Sequence, residues 1–104
     1  MALTELLAQI KSRLQAAHGA RLKGVILYGS RARGDAQPDS DWDLLVLLDG
    51  PVEVYEDIGK NVDALYDLVL ESGEIIHAQP VDVRDYEAQE FLLYRLAKRE
   101  GIHA

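Results

Sequence analysis

Asp41 and Asp43 stand one residue apart at the head of an apolar run, Leu44 to Leu48. Side chains of a strand alternate between faces, so both carboxylates point the same way. Like charges held side by side against an apolar run are costly unless a cation or a partner neutralises them. Mg2+ would do so, because it takes oxygen ligands at about 2.0 to 2.1 Å and keeps several waters that phosphate oxygens can replace. The same pair also fits a strand that begins at the surface with both acids solvated, so Asp-x-Asp by itself leaves both readings open. Upstream, Gly29-Ser30 directly follows an apolar, β-branched run. A glycine there can take a positive φ, and the N–H groups beyond it can face a phosphate with no Cβ in the way. Alone, it is equally a turn glycine with a capping serine. Arg31 and Arg33 flank the loop that would hold the phosphates.

The elements that must position these residues follow from the spacing of apolar positions. Thr4 can cap a first helix with Leu6, Leu7, Ile10, Leu14 and Ala17 on one face, and Gly19 can end it. Leu22 to Tyr28 reads as the first strand and Asp41 to Leu48 as the second, with loop chemistry at Gln37 to Ser40 and space for one helical turn from Arg31 to Asp35. Asp49-Gly50-Pro51 breaks the chain before a second long helix. Its apolar face is expected at Val54, Ile58, Val62, Leu65 and Val69, closing at Gly73. Glu74 to Val81 reads as a third strand that Pro80 confines to an edge or an end. A last helix, capped by Asp85 and running to about Glu100, should turn Phe91, Leu92 and Leu96 to the core. The class is α/β (α+β): a small mixed sheet of three or four strands flanked by helices.

A chain of 104 residues is one domain, 1–104, and its composition, 48% hydrophobic and 28% charged, is that of a globular protein. No apolar run approaches the roughly 20 residues that span a bilayer, and the first residues lack the apolar centre of a signal peptide. With no cysteine, thiolate metal sites and disulfides are excluded, which suits a reducing compartment, and a cytoplasmic location is expected. The net charge of −7 argues against direct binding of nucleic acid. Between Asp35 and Asp57 the chain carries acids and no Lys or Arg, just after Arg31 and Arg33. An acidic surface with a basic edge suits Mg2+ with a phosphate ligand, or a basic protein partner.

Gly29-Ser30, ten intervening residues, and then Asp41-x-Asp43 leading into an apolar strand resemble the signature of the DNA polymerase beta-like nucleotidyltransferase superfamily. Within it the run Gly29-Ser30-Arg31-Ala32-Arg33-Gly34, the proline-containing loop and Ser40-Asp41-x-Asp43-Leu44-Leu45-Val46 resemble the minimal nucleotidyltransferase (MNT) domains, and the likeness extends to Arg99 to Ile102. The resemblance implies a nucleotidyltransferase fold, with Gly29 and Ser30 on the triphosphate, Arg31 and Arg33 beside it, and Asp41 and Asp43 as catalytic metal ligands. It implies ATP as substrate with Mg2+, and transfer of AMP to a hydroxyl. MNT domains of this kind are commonly antitoxins whose partner is a HEPN-type toxin that they silence by AMPylation.

In that family a third carboxylate on a neighbouring strand completes the site, and Glu74 or Asp82, which share parity along the third strand, could supply it. Without it, the domain would be a non-catalytic nucleotide-binding antitoxin that neutralises its partner by complex formation. A third possibility is transfer to a small molecule held by another subunit. His77 is expected to be packed or exposed rather than a base, and Trp42 to be core. Tyr28 could border a base pocket, although the core suits it better.

Overall fold

The computed structural model describes residues 2–104. Helix α1, Leu3–His18, leads through one 3-10 turn, Gly19–Arg21, into strand β1, Leu22–Tyr28. A single turn, α2 (Ser30–Arg33), and a loop bring the chain to β2, Trp42–Leu48, and the long helix α3, Val54–Ser72, connects it to β3, Ile76–Asp82. Two short helices, α4 (Val83–Ala88) and α5 (Leu92–Glu100), precede a two-residue strand, β4, Ile102–His103. The four strands form one mixed sheet in the order β3-β2-β1-β4. β1 runs antiparallel to both β2 and β4, whereas β3 is parallel to β2, as a strand–helix–strand connection through α3 requires. Pro80 accordingly lies on an edge strand.

Alternation in β1 and β2 feeds two cores. Val25, Leu27, Trp42, Leu44, Val46 and Leu48 pack with α1 and α3 on one side of the sheet. Ile26, Leu45 and Leu47 pack with Val81, Tyr86 and Ala97 on the other. Asp43 has the parity of Leu45 and Leu47, so it belongs to the second face, partly buried at the end of the strand opposite Tyr28.

Three expectations about helix ends are revised. Asp82, not Asp85, caps the helix after β3, accepting from the Arg84 N–H. That helix breaks at Gln89, whose φ of 53° is left-handed, so Phe91 and Leu92 fall at the start of a new helix and stay exposed while Ala97 is buried. The break carries no glycine or proline, so nothing local announced it. In α1 the cap position belongs to Ala2, with no side-chain cap, although Leu6, Leu7, Ile10 and Leu14 are buried as expected.

Helix α3 differs most. Its buried positions are Asp57, Asn61, Leu65 and Leu68, while Val54, Ile58 and Val62 face outward at 56%, 41% and 56% exposure. The helix is rotated because polar partners wait for its polar side. Arg21 donates to both carboxylate oxygens of Asp57, at 2.9 and 3.1 Å, and the Glu53 N–H donates to the same carboxylate. The His18 Nε2–H donates to Asn61 Oδ1 at 2.7 Å, and Asn61 Nδ2 donates to the Ala78 carbonyl at 2.9 Å. Apart from His18 Nδ1, which is buried without a partner, these side-chain groups are hydrogen-bonded, so α1, α3 and β3 are tied by hydrogen bonds where a greasy seam was expected.

Candidate functional site

The Gly29–Asp43 pair shows how the chain builds its site. β1 ends at Tyr28, which lies opposite Asp43 in the antiparallel register. Gly29 then turns the backbone with φ 79° and ψ −159°, a conformation that favours glycine. A Cβ at this position would lie 2.9 Å from Asp43 Oδ2, so only glycine lets the turn pass this close to the carboxylate. Beyond it, α2 begins: Ala32 and Arg33 donate their N–H groups to the Gly29 carbonyl, and the amides of Ser30 and Arg31 precede that first helical bond. The Gly-Ser turn and the aspartates thus meet at one end of the sheet, as the spacing anticipated.

Burial raises the Asp43 carboxyl above its ordinary range, and the neighbouring Asp41 adds to the rise, while His77 works against both. Tyr28 is pushed up as well, by burial and then by Asp43. No lysine or arginine among the described residues forms an ion pair with Asp43. An uncompensated, half-buried carboxylate beside a second one is suited to a hard cation. Among the described residues no three His, Cys, Asp or Glu side chains are grouped to hold a metal. Asp41 and Asp43 would therefore hold Mg2+ with phosphate oxygens and water as the remaining ligands, a set this metal commonly accepts.

Neither candidate for the third carboxylate reaches this place. Glu74 and Asp82 share parity, but it is the parity of Ile76 and Ala78, which pack on the first core, opposite to Asp43. Glu74 accepts from Arg31 at 3.2 Å and from the Trp42 indole at 3.1 Å. Asp82 lies opposite Leu48, five strand positions or about 16 Å from the level of Asp43. There it pairs with Arg84, whose hydrogen bonds hold its carboxyl below the ordinary range. The residue that does stand beside Asp43 in the β2–β3 register is His77, and its Nε2–H donates to Asp41 Oδ2 at 3.0 Å. Parity counted from Asp43 across a parallel pairing would have found it, but the register of that pairing cannot be read from the chain.

The two arginines divide their work. Arg31 donates to the carbonyls of Ser40 and Pro38, pairs with Glu74, and stacks with its guanidinium carbon 5.3 Å from the centre of the Trp42 ring. It holds the loop before β2 in place, and Trp42 is core, as expected. Arg33 makes only a long, exposed contact to Asp35 at 3.4 Å and remains available to an anion.

A family model described as "Nucleotidyltransferase domain" matches residues 7–100. The chain belongs to the nucleotidyltransferase domain family. Its mixed sheet and flanking helices are those of the nucleotidyltransferase fold, and solved structures agree. A chain from a crystal structure of a toxin–antitoxin with AMP-PNP superposes with a TM-score of 0.66 at 15% identity, over 93% of this chain and 70% of that one. A chain from the toxin–antitoxin MntA–HpeT, crystallised as a mutant, gives 0.65 at 13% identity, with the same coverage. No curated protein matches the sequence significantly.

Proposed function

We propose that this nucleotidyltransferase domain binds ATP with Mg2+ between the Gly29-Ser30 turn and the Asp41/Asp43 pair and transfers AMP to a hydroxyl of a protein partner, a HEPN-type toxin, which it thereby silences. The observation that carries the reading is the approach of Gly29 to Asp43, where a Cβ would lie 2.9 Å from Oδ2, which supports a turn for phosphates beside a carboxylate for a cation. Two neighbours in fold are toxin–antitoxin proteins, one with AMP-PNP, which supports a nucleotide and a toxin partner.

Bound Mg2+ would supply positive charge to phosphate oxygens as pyrophosphate departs. The chain's own residues do the rest. Gly29 gives backbone access, Ser30 and Arg33 face the phosphates, and Asp41 and Asp43 fix the cation. The acceptor oxygen bonds to the α-phosphorus, the bond from that phosphorus to the bridging oxygen breaks, and the hydroxyl proton leaves to water.

A second reading is favoured by one observation: Glu74 and Asp82 lie away from the pair. On it the domain binds nucleotide and silences its partner by complex formation alone. Labelled ATP, Mg2+ and the product of the adjoining gene distinguish the two. Label on the partner with wild type and none with the Asp41→Asn, Asp43→Asn double variant supports transfer. Equal labelling by both would sink it, and silencing by the double variant without label establishes the second reading.

A further inference from the structure

The rotation of α3 leaves an apolar stripe, Val54, Ile58, Val62 and Tyr66, on its outer side, continued by Ile75 in the loop that follows. Single exposed apolar side chains are ordinary, but a stripe at helical spacing beside a groove marks a docking surface. The groove lies between this stripe and the free edge of β3. It consists of two hollows of about 430 and 240 Å³ that share Val62, Ile76 and Ala78. His77 also borders the larger hollow from the edge strand, while its imidazole turns to Asp41, at 3.0 Å, on the other face of the sheet.

We infer that this groove receives an amphipathic helix of the acceptor protein, apolar on the face laid into the groove and bordered by Lys or Arg. The inference rests on the reading of a protein partner given above. A helix is indicated rather than an added strand, because Pro80 has no N–H to offer and the Ala78 carbonyl is already taken by Asn61. From Val54 to Tyr66 the stripe is about 18 Å long, which matches three turns of a docked helix. Charge identifies the flanks. On the side of the stripe away from β3, about 100° round the helix from Val62 and Tyr66, Asp63 and Asp67 are exposed, and the one lysine of the helix, Lys60, faces Glu56 at 3.7 Å. A second copy of this chain, with its own acids and a net charge of −7, would meet like with like, whereas a basic-edged helix is complementary.

The test measures complex formation by the full chain with the product of the adjoining gene in the absence of nucleotide, by titration calorimetry at moderate salt. Ile58→Asp and Val62→Asp should each weaken the complex at least tenfold, with thermal unfolding and affinity for AMP-PNP unchanged. The Ile58→Ala, Val62→Ala double variant serves if either aspartate perturbs folding, and is expected to weaken the complex several-fold. Asp63→Lys with Asp67→Lys should reduce affinity and flatten its salt dependence. Affinities within twofold of wild type for the apolar variants would overturn the inference. So would the absence of any wild-type complex, or, at the moderate salt of the assay, a stable homodimer that Val62→Asp dissociates and that excludes the partner. A complex that forms and is broken by these variants, yet receives no AMP, leaves the docking surface standing and removes the transfer reading.

Discussion

Asp43 illustrates what a residue proposed to bind a cation costs its fold. Its carboxyl is raised by burial, so the folded state favours the protonated form, and the charged form penalises stability increasingly as pH rises through the raised value. Asp43→Asn should therefore unfold at a higher temperature at pH 7, by an amount on the order of a few degrees, while losing Mg2+-dependent nucleotide binding. Scanning calorimetry with and without Mg2+ and AMP-PNP checks both. Gly29→Ala combines a positive φ with a Cβ 2.9 Å from Asp43 Oδ2. It should cost about 1 to 2 kcal/mol in urea unfolding and abolish nucleotide binding. His77→Asp would place a third carboxylate beside Asp43 in the β2–β3 register. If transfer is limited by the missing group, single-turnover labelling should rise on the order of tenfold or more. These positions also show how far local reading places residues. Gly29, Asp41 and Asp43 were legible because turn chemistry and strand alternation are properties of a few adjacent residues. His77 was not, since its place depends on a pairing across 34 residues of chain from Asp43.

At the scale of elements, α3 depends on its polar interior. Asp57 is almost wholly buried, and its carboxyl is held low chiefly by the Arg21 hydrogen bonds. Its stabilisation is complete above the ordinary carboxylate value and is lost as pH falls through the lowered folded one. Arg21→Met should cost about 2 kcal/mol at pH 7 and progressively less in acid, measured by urea unfolding across pH. The closure of β4 onto β1 depends on Gly101, where a Cβ would run into the Ala97 carbonyl and the Ile26 side chain. Gly101→Ala should lose roughly 1 to 3 kcal/mol. Element order was legible as far as β3, because periodicity of 3.6 and 2 is local, whereas the division of the last helix and the two-residue strand β4 after Gly101 were not. The orientation of α3 was not, because Asp57 and Asn61 turn inward only once Arg21 and His18 arrive from another element, and hydropathy alone prefers Val54, Ile58 and Val62. The same reasoning placed Phe91 and Leu92 inside, where a left-handed Gln89 keeps them out.

For the molecule as a whole, the two cores use opposite faces of one sheet, and Asp41 and Asp43 lie at one end of it. The mixed α/β class and the membership in the nucleotidyltransferase domain family were both within reach of the sequence. The missing third carboxylate and the uncovered helix face required coordinates. That uncovered face also governs how the free protein behaves in solution. At low ionic strength the charge of −7 keeps copies apart, and the apolar stripe of α3 is harmless. Raising salt shortens the screening length from about 10 Å at 0.1 M toward about 3 Å at 1 M, and this repulsion fades while apolar attraction does not. Light scattering of the isolated chain should therefore rise with sodium chloride, and Val62→Asp should suppress the rise. The usual remedy of adding salt to keep a protein dispersed would work in reverse here, and a bound partner would act as its solubiliser.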